Sequence, residues 1–221
     1  MSQEEFLTID EFYSHFRHYI QTAKQYASPE LLQLVRQAIP KEIIEEYIKT
    51  DRLTQIRDLA KWFKESFMKW DKTDLARYID LPVLLETRKG RCGEWANLYT
   101  AMLISLEIPA RLVLDYTDHV WTEALIEGKW MHIDSTLNAW NWPDPFYYED
   151  QWKKQLTYIL AFMPNKIEDV TQNYTRKWEE VKTRRKIDKE VERLIEMYNL
   201  GAVSVLQHFM PVNAFILEEV I

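Results

Sequence analysis

Through the first seventy residues apolar positions recur at helical spacing. Between Ile9 and Tyr26 they fall at Phe12, Phe16, Tyr19, Ile20 and Ala23, one face of a helix. Ser28-Pro29-Glu30 reads as an N-cap followed by proline at the first helical position, the start of a second helix. Pro40 opens a third, through Ile43, Ile44, Tyr47 and Ile48. A fourth is expected over 54–70, with Ile56, Leu59, Ala60, Phe63, Phe67 and Trp70 on one stripe, followed by a short polar connection to Pro82. After Leu84 the pattern changes. The turn 88–93 leads into a strong helix over 94–106, with Trp95, Leu98, Tyr99, Met102, Leu103 and Leu106 in phase. Strand-like segments follow at 111–116, 119–126 and 129–134, the last two joined by Glu127-Gly128 as a two-residue hairpin turn. A loop rich in Trp, Pro and Asp spans 138–145, another strand is expected within 156–162, and a helix over 176–199 ends at Gly201, placed as its C′ cap. The apolar tail to Ile221 is expected to pack back on the body. The pattern is that of one α+β domain over 1–221: a helical N-terminal extension (1–55), a core (56–185) and a helical C-terminal extension (186–221).

Composition narrows the classes. With 221 residues, 47% hydrophobic and 29% charged, the chain is too apolar for disorder. A net charge of −7 argues against a basic nucleic-acid surface. No apolar run reaches membrane-spanning length, and the N-terminus lacks a basic-then-apolar leader, so neither a membrane partner nor secretion is expected. A single cysteine, Cys92, excludes an intrachain disulfide and any metal site of several thiolates, which fits a cytoplasmic setting. Nine tryptophans against four glycines suggest an aromatic core or an aromatic-lined ligand site rather than a glycine-rich phosphate loop.

Cys92 precedes or starts an amphipathic helix, whose N-terminal dipole favours the reactive thiolate. The hairpin supplies the other members of a triad. With a two-residue loop, Ile126 pairs with Lys129, Trp121 opposes Asp134, and Glu123 opposes His132. His119 then shares a face with Asp134 at a diagonal position, within reach of an imidazole–carboxylate bond. A three-residue loop would turn Asp134 to the other face. A lone helical cysteine is more often inert core, and His132 shares the face with His119, so spacing leaves the choice of base open. Cys, His and Asp in this order describe the papain-like and transglutaminase-like arrangement, which acts on amide carbonyls.

The run 85–97 (LETRKGRCGEWAN), continuing through 111–123 (RLVLDYTDHVWTE), Lys129-Trp130-Met131-His132-Ile133-Asp134, and Asp169-Val170-Thr171 ahead of Tyr174-Thr175-Arg176-Lys177-Trp178, resembles the cytoplasmic peptide:N-glycanases of the transglutaminase-like superfamily. The resemblance covers roughly 59–185. It implies a transglutaminase-like core with the nucleophile at a helix N-terminus packed on an antiparallel sheet. It also implies Cys92 as nucleophile, His119 rather than His132 as general base and acid, and Asp134 as the residue orienting it. Trp70, Trp121 and Glu123 match positions expected to contact the glycan. The implied reaction is hydrolysis of the asparagine–N-acetylglucosamine amide of an N-glycoprotein or glycopeptide, without a cofactor. The family carries two CxxC pairs between the tryptophan matching Trp70 and the segment matching Leu84-Leu85; the corresponding stretch, 71–83, holds no cysteine, so no zinc is expected. A cysteine peptidase or acyltransferase on the same triad is the alternative, and a non-catalytic DNA-binding relative the third.

Overall fold

The computed structural model describes residues 8–47, 50–73, 77–137 and 144–201. The continuation of the third helix to Ile48, most of the loop at 138–145 and the apolar tail beyond Gly201 lie outside them. Helix α1 (Ile9–Lys24) starts at a capping box in which Thr8 and Glu11 satisfy each other's backbone N–H groups. After a 3-10 turn (Gln25–Ala27), Ser28 caps α2 (Pro29–Gln37) by accepting from the Leu31 N–H at 3.2 Å, an interaction worth about 1 kcal/mol. Helix α3 (Lys41–Tyr47) follows Pro40.

The fourth helix is shorter than its apolar stripe suggests. Asp51 caps α4 (Arg52–Trp62), which ends in a π-helical turn, Phe63–Phe67. Met68 is already extended, and Lys69–Trp70 forms β1, a two-residue strand parallel to β2 (Lys89–Gly90). Trp70 is thus paired to Gly90, two residues ahead of Cys92, instead of ending a helix. Between them lies α5 (Leu81–Thr87), ended by Arg88 in the left-handed region at φ 52°.

Helix α6 (Cys92–Ser105) is the central helix. Every residue from Glu94 to Leu103 is buried, so its apolar stripe is accompanied by a second enclosed face. It packs on the middle of a five-stranded antiparallel sheet built from β3 (Ala110–Asp115), β4 (His119–Ile126), β5 (Lys129–Ile133), β6 (Ile159–Met163) and β7 (Lys166–Asp169), in the order β5-β4-β3-β6-β7. The hairpin has the expected register: Ile126 pairs with Lys129 and Glu123 with His132. Glu127 and Gly128 both have positive φ, 49° and 78°, the type I′ signature that suits the strand twist.

Strand alternation divides the core. Leu112, Leu114, Val120, Ala124, Leu160 and Phe162 pack against α6 and α1. Val113, Trp121, Ile159 and Ala161 face the other way, under α7 (Tyr147–Asp150), a 3-10 turn (Thr171–Tyr174) and α8 (Trp178–Arg184). The C-terminal helical run is two helices: the chain extends at Arg185 and resumes as α9 (Asp188–Asn199). Arg185 explains the break, since its guanidinium bonds Asp188 at 2.6 Å and Asp169 at 2.6 Å and lies over Tyr158. Gly201 takes the C′ position with φ 76°. The whole is an α+β fold, helices on an antiparallel sheet with helical termini.

Candidate active site

The turn into α6 is built tightly. The Trp95 indole N–H donates to the Gly90 carbonyl at 3.1 Å, and a methyl group at Gly90 would fall 2.3 Å from Glu94 Cβ, so only glycine fits. Glu94, buried, accepts from the Arg91 N–H at 3.0 Å and from Arg77 Nε and Nη2 at 2.5 and 2.8 Å. This clamp sets Cys92 as the first residue of the helix, partly exposed.

His119 opens β4 and Asp134 follows β5 directly. His119 Nε2 lies 2.7 Å from Asp134 Oδ2, and the ring lines the same cavity as the Cys92 thiol. Burial pulls the imidazole pKa down. Hydrogen bonds and charges from Asp134 and Cys92 outweigh it and hold His119 at about 9. Burial likewise pushes Asp134 up, but the bond to His119, its charge and the bond from Thr136 bring the carboxyl down to about 2. Asp134 therefore only accepts, and His119 Nε2–H is the donor. Asp134 Oδ1 accepts from the Thr136 N–H and Oγ1 at 2.9 and 2.6 Å, and Oδ2 also accepts from the Tyr148 hydroxyl at 2.9 Å.

His132 lies on the same strand face but behind the site. Its Nε2 is 2.8 Å from the Tyr148 hydroxyl, so Tyr148 bridges it to Asp134. Tyr148 is in turn placed by α7, whose neighbouring Glu149 accepts from the Arg176 N–H at 2.9 Å and the Thr175 hydroxyl at 3.2 Å.

Two of the residues expected to contact a glycan are buried. Trp121 does share the face of His119, with ring centroids 5.9 Å apart, but it is 0% exposed, enclosed by Tyr148 and Tyr174, and its indole N–H donates to Tyr174 Oη at 2.8 Å. Glu123 is buried too. It accepts from the Tyr174 hydroxyl at 2.6 Å and Arg111 Nε at 2.5 Å, while Arg111 also reaches Glu168. Both side chains are consumed by structure and offer no face to a sugar. Trp70, by contrast, is 50% exposed. Trp152 is 41% exposed, with its ring 4.9 Å from that of His119 and 5.2 Å from that of Tyr148. Its place in an irregular loop hid it; no periodicity marks it.

Cys92 and His119 open on a cavity of about 270 Å³ whose opposite wall is α1, through Ser14, His15, His18, Tyr19 and Thr22. Among the described residues no group of three or more His, Cys, Asp or Glu side chains could hold a metal ion, and no helix is long and apolar enough to cross a membrane.

Residues 41–135 match the model of the transglutaminase-like superfamily. Over 101 residues (45% of the chain) the sequence is 49% identical to a peptide-N(4)-(N-acetyl-beta-glucosaminyl)asparagine amidase of Oryza sativa subsp. japonica. Against the amidases of the same name from Arabidopsis thaliana and Homo sapiens it is 42% identical over 120 residues and 45% over 116, or 53% and 52% of the chain. The matched regions make up only 16–22% of these relatives. Among solved structures, the chain of a Rad4-Rad23 complex bound to a 6-4 photoproduct UV lesion superposes with a TM-score of 0.64 over 92% of this chain and 60% of that one, at 13% identity; that likeness concerns the fold alone. The chain thus carries a transglutaminase-like superfamily domain, homologous over about half its length to peptide:N-glycanases.

Proposed function

We propose that the protein is a cysteine-dependent amidase that hydrolyses the bond between asparagine and N-acetylglucosamine in N-glycoproteins or glycopeptides, acting in the cytosol. The observation that carries the reading is one imidazole bonded to a buried carboxylate and lining the same cavity as a thiol at a helix N-terminus. Cys92 thiolate attacks the side-chain amide carbon. His119, kept protonated through neutral pH, gives its proton to the departing glycosylamine and then takes one from the water that releases the aspartyl product. Asp134 keeps Nε2–H of the ring engaged, so that Nδ1 faces the sulfur. Trp152 is the platform suited to a sugar face, being exposed beside His119. Trp70 is the candidate for a second.

The same three side chains would serve a peptidase or acyltransferase, so the product decides. A fluorescent N-glycopeptide should be converted to the aspartate peptide plus free glycan amine. Cys92→Ala should abolish conversion, and Asp134→Asn should lower kcat by about 10⁴-fold, as when the orienting carboxylate of another triad is neutralised. Cleavage of the peptide backbone instead, or equal activity in Cys92→Ala, would refute the amidase reading. A DNA-binding role, suggested by what the Rad4 complex holds, would survive Cys92→Ala unchanged; the net charge of −7 speaks against it.

A further inference from the structure

We propose that the hydroxyl of Tyr19, on α1, donates a hydrogen bond to the carbonyl oxygen of the amide that Cys92 attacks, making the N-terminal helix part of the reacting centre. The inference deepens the amidase reading and rests on it. Tyr19 projects from α1 into the cavity that Cys92 and His119 also line. The residue is 8% exposed, its hydroxyl makes no hydrogen bond to any described residue, and it lines the cavity, where a ligand oxygen can pair with it. A methyl group built on Gly93 would lie 3.6 Å from Tyr19 Oη, so the hydroxyl stands over the first turn of α6, beside the residue that follows the nucleophile. Burial, reinforced by the charge at Cys92, pushes the phenol well above its ordinary range, so it remains a neutral donor at any working pH. The ring is held in place by Phe162 and His18, at centroid distances of 5.6 and 5.1 Å.

Arg77 is the competing donor. Its Nη2 lies 3.1 Å from the same methyl position. Its Nε and Nη2 bond the Glu94 carboxylate, which holds the guanidinium against Glu94, whereas the Tyr19 hydroxyl carries no such carboxylate partner. The first N–H groups of α6 also lack intrahelical acceptors, so an oxygen bound there would meet backbone donors from one side and Tyr19 from the other. As the sulfur–carbon bond forms, the carbonyl π pair moves onto oxygen. Tyr19 keeps its proton and shortens its hydrogen bond to that oxygen. When the pair returns, the carbon–nitrogen bond breaks, the nitrogen leaves with the His119 proton, and a thioester remains on Cys92 for water to hydrolyse.

The test compares two reactions of Cys92 in full-length wild type and Tyr19→Phe. Acylation by p-nitrophenyl acetate passes through an oxyanion and expels p-nitrophenolate; alkylation by iodoacetamide displaces iodide and forms none. Losing one oxyanion donor costs about 10²–10³-fold in comparable sites, so acylation should slow by about 100-fold while alkylation changes by less than about twofold. The melting temperature should hold, because phenylalanine keeps the packing on Phe162. Unchanged acylation, or an equal fall in both rates, would overturn the assignment. If wild type acylates but leaves glycopeptide intact, the amidase reading fails and the Tyr19 comparison still decides. If wild type does neither, both fall.

Discussion

Trp121 and Trp152 should behave as opposites, although both lie within 6 Å of the His119 ring. Trp121 is wholly enclosed, stacks on Tyr148 at 4.7 Å and 25°, and donates to Tyr174. Replacing such a residue by alanine removes its transfer free energy and leaves a cavity, at a cost of about 3–5 kcal/mol. In a domain of this size 1 kcal/mol moves the melting temperature by roughly 2–4 °C, so Trp121→Ala should lose about 6–20 °C. Because Trp121 supports Tyr148, whose hydroxyl binds Asp134, kcat should fall as well, with KM nearly constant. Trp152 is 41% exposed, and its truncation should cost within about 0.5 kcal/mol of stability, as surface changes do. If its ring carries a sugar, the stacking is worth about 1–3 kcal/mol, a scale borrowed by analogy from base–aromatic stacking. KM for a glycopeptide should then rise roughly 5- to 150-fold. Thermal melts by circular dichroism and Michaelis curves on both variants separate the roles. A Trp121→Ala protein that melts like wild type but binds glycopeptide weakly would refute the assignment of Trp121 to the core.

Stability should depend on pH through the His119–Asp134 pair. The imidazole is raised from 6.5 to about 9 in the folded state, so its contribution is complete below about pH 6.5 and is lost as pH rises through 9. The melting temperature should therefore fall between those limits, with a shallower slope in Asp134→Asn, and turnover should fall above about pH 9; an identical slope in Asp134→Asn would show that the pair does not control it. Gly90→Ala, whose methyl would meet Glu94 Cβ at 2.3 Å, should cost about 1–3 kcal/mol and reduce turnover by moving the turn before Cys92. Gly128→Ala, which meets no atom within 4 Å, should leave turnover intact despite its positive φ; equal turnover in the two variants would refute the argument from close packing.

What was legible in the sequence was local. The Glu127-Gly128 turn sets the parity of β4 and β5, and parity places His119 and Asp134 together. The Ser28 cap, the helix after Cys92 and the Gly201 cap follow from side chains within a few positions of one another. What was not legible depends on distant partners. Alternation places Trp121 and Glu123 on the face of His119, but whether that face meets water is decided by α7 and Tyr174, whose hydroxyl lies 53 residues from Trp121 in the chain. The apolar stripe over 54–70 continues through a π-helical turn into a strand because Lys69–Trp70 pairs with Lys89–Gly90, a contact no periodicity encodes. The strand at 166–169 has four residues, three of them polar, and so carries no alternation that marks it. Between His119 and His132, residue type and spacing are equal; Tyr148 makes the difference by occupying His132.

One strand face therefore does two different jobs along its length. Residues 119, 121 and 123 of β4 point the same way, yet His119 stands at the strand's open end, beside Cys92 and the cavity, while Trp121 and Glu123 run inward beneath α7 and Tyr174. The inner pair is what makes the outer residue useful. Trp121 stacks on Tyr148, Tyr148 binds Asp134, and Asp134 holds the ring of His119. Burying the Asp134 carboxylate carries a desolvation cost of several kcal/mol, which the bonds from His119, Tyr148 and Thr136 offset. A sugar-binding tryptophan at position 121 would have to open that cover and would leave Tyr148 unsupported. A ring that approaches His119 from the solvent side, as Trp152 does, leaves the buried network intact. If a tryptophan carries the sugar, a single physical condition separates that role from support of Asp134: the side chain that braces the carboxylate cannot also be open to a substrate.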